Sequence, residues 1–491
     1  MDPLISQHFL SLPRPDVLQP SQAGVVDTTT LAAHDFDVDT RTGFMPPEAP
    51  LQRLPEQWQS WEVLLDSAQA QRLKLGRDET TTYEDMVKSE SWRIRVRQLS
   101  ELSTSDLNSS EQLLRRAHHV LAWIMHFYIH TLSPDSDVRI PSSITIPLLT
   151  ICAQLQLPPV LTYSDDVLYN WALKEHTPPG TLPNLDNIRC LTLFTGTKDE
   201  EEFYLSSARI ELRGVEALDL MRATMDELFV GDSIALRRIV RYLRSLATVI
   251  DDLSRVLLTV RDGCSPDVFY RDIRPWFAGH DSGKQKWHFE GLEDHPELTY
   301  PTELSGPSAG QSSLVHAIDI FLGVDEYSHS DSLTGHYGSK PSVAASGSEQ
   351  KKLAFLERMQ LYMPRHHRNF LRHLSSDPRP LREAVERSSG RVGQELREAY
   401  NATVRSMKAF RDAHMKIVAL YIIGPSRRFN VPGQDTKTTP PATTIEDDGT
   451  AVLKGTGGTD LVRFLKGVRD RTAGAIIEKR PGSSSSSSSS T

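Results

Sequence analysis

Cysteine is scarce in this chain, whose 491 residues include only Cys152, Cys190 and Cys264. They are odd in number and far apart, with neither CxxC nor CxxCH. A disulfide framework, a zinc ribbon and covalently attached haem c are therefore unsupported, and a reducing compartment is expected. Long apolar runs are also missing, so no stretch offers the roughly 20 residues that a membrane-spanning helix needs. The first residues, "MDPLISQHFLSLPRPDV", have an acid at position two and an apolar run cut by Pro13, unlike a secretory or transit signal. A soluble, cytoplasmic protein with no membrane partner is expected. No dense Lys/Arg stretch offsets the formal charge of −9, so nucleic acid is not an expected partner. GxxxxGK[ST], HExxH and a GxSxG with a convincing triad are absent too. Nucleotide hydrolysis, zinc proteolysis and α/β-hydrolase chemistry lose their basis.

What is present is helical periodicity. Apolar residues return at steps of three and four over 56–73, 83–102, 111–131, 207–227, 232–261, 311–323, 350–375, 392–422 and 459–479, whereas sustained strand alternation is rare. A mainly α fold is expected, and the length favours two domains. Residues 1–50, rich in Pro, Thr and Asp, read as an extended arm. Residues 51–140 read as a small helical domain, and 141–480 as a large one interrupted by polar loops at 325–349 and 427–450. Residues 481–491 form a Ser-rich low-complexity tail. The three prolines in "SPDSDVRIPSSITIPL", 133–148, break the helical pattern and suggest the link between the domains.

Several constellations could carry chemistry. His119, His126 and His130 have metal-ligand spacing on a helix, but no carboxylate sits among them and aromatics surround them, which favours structural roles. In "KGTGGTDLVRFLKGV", 454–468, glycines precede a helix start whose free N–H groups suit an anion; a phosphate, a carboxylate or a plain flexible loop all remain open. In "DVFYRDIRPWFAG", Phe269 and Arg274 stand five apart. They could set an apolar wall beside a guanidinium, suiting an aromatic acid, although an amphipathic helix with a surface arginine is the preferred reading of the residues by themselves. The small residues Ser308, Ala309 and Gly310 could admit a planar group close to the backbone, or simply start a helix. Met407, Phe410, His414, Val418 and Tyr421 share one helix face. An imidazole on that apolar stripe must hydrogen-bond within the fold or offer a lone pair to something else, and the residues by themselves favour the first.

Taken together, "IPLLTICAQLQLPPVLTYSDDVLYNW", "TKDEEEFYLSSARIELRGVEAL", "FYRDIRPWFAG", "PSAGQSS" with "DIFLGV", "YMPRHHRNFL", "LREAYNATVRSMKAFRDAHMKIVALYI" and "KGTGGTDLVRFLKGVR" resemble the indoleamine 2,3-dioxygenases, in the family's order and over roughly residues 140 to 479. The resemblance implies a two-domain helical haem protein that inserts O2 across the indole C2–C3 bond of L-tryptophan or a related indoleamine. The product would be N-formylkynurenine, at the head of the kynurenine route to NAD. The implied cofactor is haem b, kept ferrous by an unidentified reductant, with His414 as its proximal ligand.

Ser308 and Ala309 match the haem's distal lining, and Arg411 with Asp319 match residues on its proximal side. Phe203 and Ser207 match distal-pocket positions and Tyr163 a pocket-wall tyrosine. Phe269 matches the aromatic on the substrate ring, Arg274 the arginine that clamps the substrate carboxylate, and Thr456 a loop that closes over the substrate. Ser207, Phe269 and Arg274 are the implied catalytic set. Asp166 departs from the pattern, standing where some relatives carry a smaller or less polar residue. The alternatives are a non-catalytic haem or indole sensor of the same fold, a haem-free helical scaffold, or the related tryptophan 2,3-dioxygenases.

Overall fold

The computed structural model describes residues 36–478 except 79, 179, 283–284, 325–354, 378–379, 430–442, 446–450 and 454–460. Among the described residues eleven α-helices have ten residues or more. They are α1 (Gln59–Ala70), α2 (Tyr83–Gln98), α3 (Glu111–His130), α4 (Ser142–Leu155), α5 (Lys198–Arg213), α6 (Val215–Val230), α7 (Ser233–Leu258), α8 (Ser313–Leu322), α9 (Arg365–Ser375), α10 (Gly390–Val418) and α11 (Leu461–Gly474). Among the described residues strands are confined to three two-stranded pairs: Val138–Ile140 parallel to Trp287–Phe289, and antiparallel Trp171–Leu173 with Ile188–Cys190 and Thr443–Ile445 with Ala451–Leu453. The fold is mainly α, as the periodicity predicts. None of the described helices is long and apolar enough to cross a membrane.

Local chemistry sets many helix starts. Thr82 and Asp85 form a reciprocal capping box before α2, the Thr197 side chain accepts from the Glu200 N–H before α5, and Asp232 accepts from Ile234 and Ala235 N–H before α7. Such caps satisfy donors that a helix start leaves open, at about 1 kcal/mol each. Where the spacing predicts one helix over 207–227, there are two, meeting at Gly214. A Cβ there would lie 2.2 Å from Leu314 of α8, so the bare glycine lets the helices close on each other. The helix expected over 350–375 is likewise divided, with Pro364 capping α9.

Three expectations need correction. Residues 142–155, expected to begin in a linker, form α4 with Pro147 inside it and nine buried side chains; burial outweighs the hydrogen bond that proline removes. Residues 36–50, expected in an extended arm, fold back, and Phe44 and Met45 are buried, Phe44 stacking edge-on with His367. The expected loop 427–450 contains the end of the helix Gly424–Phe429 and the strand Thr443–Ile445. Residues 1–35, the 325–349 loop and the 481–491 tail lie outside the described residues.

Two apolar cores organise the packing. One surrounds the almost wholly buried α3, with Trp61, Trp92, Trp123, Trp276 and Phe194. The other lies between α7 and α10, where Ile239, Leu243, Leu246 and Ile250 meet Leu396, Tyr400, Val404 and Met407. Each fully buried aliphatic side chain there contributes about 1.5–3 kcal/mol. Within α3, His119, His126 and His130 are structural, as their setting predicts. His126 bonds the Trp276 carbonyl at 2.8 Å, His130 the Ala278 carbonyl at 3.0 Å and His119 the Thr192 hydroxyl at 2.9 Å. Burial lowers all three pKa values, His119 to about 3 and His126 to about 4, so they are neutral.

Candidate active site

Three π-turns shape the site. In such a turn an N–H bonds the carbonyl five residues back, which widens the helix by one residue and turns side chains out of register. Ser164–Leu168, Phe269–Ile273 and Ala419–Ile423 are of this kind. Residues of all three line one cavity of about 290 Å³, to which both cores contribute, through Tyr163 and Tyr421 from the first and Ile210 and Phe410 from the second. Tyr163, Phe203, Ser207, Phe269, Arg274, Ser308, Ala309, Asp319, Arg411 and His414 all line it. Thr456 and its glycine turn lie outside the described residues, although Leu461, Phe464 and Leu465 of the following α11 reach the cavity.

One wall is aromatic. The Phe203 ring lies 4.5 Å from Phe269 and 5.8 Å from Phe277, and Phe269 meets Tyr421 edge-on at 5.7 Å. At the second π-turn the Arg274 N–H donates to the Phe269 carbonyl, which brings residues five apart to the same cavity. Arg274 is only 5% exposed, so the reading of a surface arginine on an amphipathic helix is wrong; a π-turn cannot be told from an α-turn by residue spacing. Its guanidinium sits 5.7 Å from the Tyr270 ring centroid. Beside it Arg77, from the α1–α2 connection, is lowered to about 10 by burial and by the Arg274 charge. Two cations thus gather at this end.

The small-residue segment reaches the cavity because its backbone packs on another. A Cβ on Gly306 would fall 1.8 Å from the Phe277 carbonyl oxygen, so only glycine allows these chains to touch. Gln311 then locks the segment, its side chain accepting from the Tyr163 N–H at 2.8 Å and donating to the Gly306 carbonyl at 2.9 Å.

On α10, Arg411 pairs with Asp319 of α8 and donates to the Thr472 hydroxyl of α11, tying three helices together one turn before His414. The His414 ring faces the cavity and makes no hydrogen bond among the described residues. Burial, helped by the Arg411 charge, lowers its pKa to about 4, so it is a neutral imidazole.

Glu211 escaped the sequence reading. It lies four residues after Ser207 and eight after Phe203, hence on the same face of α5, and that spacing was the available signal. Its Oε1 accepts from the Tyr163 hydroxyl at 2.9 Å and the Ser312 hydroxyl at 2.7 Å, and Ser207 sits beside Tyr163. Glu211 is 1% exposed, and burial raises its pKa from the ordinary 4.5 to about 7. Between those values the folded protein holds a proton that the unfolded chain releases, so stability falls as pH rises. Above pH 7 both forms are ionised and the loss is complete. Between pH 5 and 8 this group should cost roughly 2 to 3 kcal/mol, and Glu211→Gln should flatten that part of the stability profile. Denaturant unfolding of both proteins across this range measures the difference.

The cavity of this helical protein thus combines a neutral imidazole that makes no hydrogen bond among the described residues, a wall of aromatic rings and a buried guanidinium, groups suited to a large flat ligand and to an anionic aromatic one. Over residues 32–475 the sequence matches the family model for indoleamine 2,3-dioxygenase. The chain belongs to the indoleamine 2,3-dioxygenase family. It is 33% identical over 449 residues to the indoleamine 2,3-dioxygenase of Saccharomyces cerevisiae, covering 89% of this chain and 92% of the yeast protein. Its identity to indoleamine 2,3-dioxygenase 1 of Rattus norvegicus is 30% over 459 residues, covering 93% and 98%. A 6-hydroxytryptophan 2,3-dioxygenase of Fusarium equiseti is 28% identical over 438 residues, covering 89% and 95%.

Haem, the cofactor of that family, fits the residues present. The cavity is largely apolar, and the His414 lone pair is not taken up by any hydrogen bond among the described residues. Neutral imidazole is the state that ligates iron.

Proposed function

We propose that the cavity holds haem b on His414 and that the protein oxidises L-tryptophan or a close indoleamine with O2 to N-formylkynurenine. The observation that carries this is the His414 imidazole, neutral and without a hydrogen bond among the described residues, facing a cavity that also holds Arg274 and the Phe203–Phe269 wall. When bound, ferrous haem supplies the open-shell iron that lets triplet dioxygen react with a singlet indole.

The chain's own residues do the rest. Arg274 binds the substrate carboxylate by charge-assisted hydrogen bonds and so fixes which end of the indole goes deep. Phe269 and Phe203 hold the ring flat and keep water out, and Tyr163 closes the opposite wall. Ser207 and Tyr163 share a hydroxyl cluster with Glu211, and Ser207 acts as the hydrogen-bonding helper. Ser308 and Ala309 keep the wall thin enough for a porphyrin. The Arg411–Asp319 pair holds the register of α10 and thereby the aim of His414. Thr456 belongs to this proposal as part of a closing turn. So do the two-domain division, a cytoplasmic location and a place at the head of the kynurenine route to NAD. Insertion of O2 consumes no net electrons, so a reductant serves only to return ferric protein to the ferrous state.

Reduced, haem-loaded protein given L-tryptophan in air should consume one O2 per substrate while the N-formylkynurenine absorbance band grows. Haem binding without oxygen-dependent product would instead mark a sensor of the same fold.

A further inference from the structure

Adjacent aspartates on the first π-turn have opposite fates. Asp165 is fully engaged: its Oδ1 pairs with the His118 imidazole at 2.8 Å, and its Oδ2 accepts from the Thr162 N–H at 2.9 Å and hydroxyl at 2.7 Å. These bonds brace the turn that presents Asp166. Asp166 is just as deep, 4% exposed, and lines the cavity. Its Oδ1 is fully buried without a hydrogen-bond partner, and neither carboxyl oxygen bonds any described residue. A buried polar group left in that state is costly, and this one stands at the wall of the cavity on the hydrogen-bonded turn that Asp165 braces.

The charged groups that act on Asp166 are Asp165 and Glu200, both acidic; together with burial they push its carboxyl well above the ordinary range. Burial, the larger cause, thus favours the protonated form, which can both donate and accept. Arg274 is not among the groups that act on it, and Asp166 is not among those that act on Arg274. The α-ammonium of an amino acid lies two bonds from its carboxylate carbon, so an ammonium beside an Arg274-held carboxylate stays away from Asp166. What reaches Asp166 is the far end of the ligand.

We propose that Asp166 hydrogen-bonds a hydroxyl on the six-membered ring of the substrate indole, so that the cavity selects ring-hydroxylated tryptophans over tryptophan. This rests on the cavity being the indole site proposed above. A site whose buried polar group is satisfied by a substrate hydroxyl discriminates against the analogue lacking it, because that analogue leaves the group unpaired.

The test measures dissociation constants of L-tryptophan, 5-hydroxy-L-tryptophan and 6-hydroxy-L-tryptophan by anaerobic calorimetry on the full-length haem-loaded protein, with kcat/KM in air as a second readout. Wild type, Asp166→Val and Asp166→Asn are compared, their melting temperatures reporting folding. At least one hydroxylated ligand should bind wild type about tenfold or more tighter than tryptophan. Asp166→Val should erase that ratio, and Asp166→Asn, which keeps hydrogen-bonding atoms of similar size, should retain part of it. Equal loss for all three ligands would mean that Asp166 serves the ring N–H or the fold, and an unchanged ratio would mean that it serves neither; each overturns the proposal while the indole site stands. Failure of every indole to bind wild type would overturn both.

Discussion

His414→Ala protein should fold yet fail to retain haem: reconstitution and desalting should leave no Soret band, and oxygen uptake with tryptophan should vanish. His414 is the only histidine of α10, and it continues the buried stripe of Met407, Phe410 and Val418. Losing partners that merely orient a ligating histidine typically costs 10–100-fold, so losing the iron bond itself should exceed about 100-fold in haem affinity. The fold should survive because His414 makes no hydrogen bond among the described residues and its ring borders a cavity, so truncation leaves no orphaned partner. Added imidazole should partly restore the Soret band by occupying the vacated space. A stable variant with a normal Soret band and normal turnover would remove His414 from the mechanism.

Arg274→Ala should lower kcat/KM for L-tryptophan roughly 10- to 150-fold, the equivalent of about 1.5–3 kcal/mol for a hydrogen bond to a charged group. Tryptamine keeps the ring and lacks the carboxylate, so its oxidation should change far less. Arg274→Lys should fall between, because an ammonium keeps the charge and loses the planar fork. Equal losses for both substrates would assign Arg274 to the structure, through its place over Tyr270, rather than to recognition.

Much of the site was legible in the residues. The helical stripe that carries His414 is visible as spacing, since an α-helix repeats its faces every three to four residues wherever it lies. Glu211 was legible in principle by the same rule and went unread. The π-turns were not, because nothing in "SDDVL" or "FYRDI" distinguishes a bond to the fifth residue from one to the fourth; that choice is made by what packs against the turn. The same limit hid α4, where burial overrides Pro147.

By itself, then, the sequence determined the helices, their apolar faces and the kinds of chemical group available, because these depend on neighbours along the chain. Only the tertiary structure decided that Arg274 is buried, that Glu211 keeps a proton to about pH 7, and that Asp165 is satisfied while Asp166 is not. Burial and hydrogen-bond partnership depend on segments distant along the chain, such as Glu211 and Ser312 or Asp165 and His118, closing around one cavity, and local spacing carries no record of that.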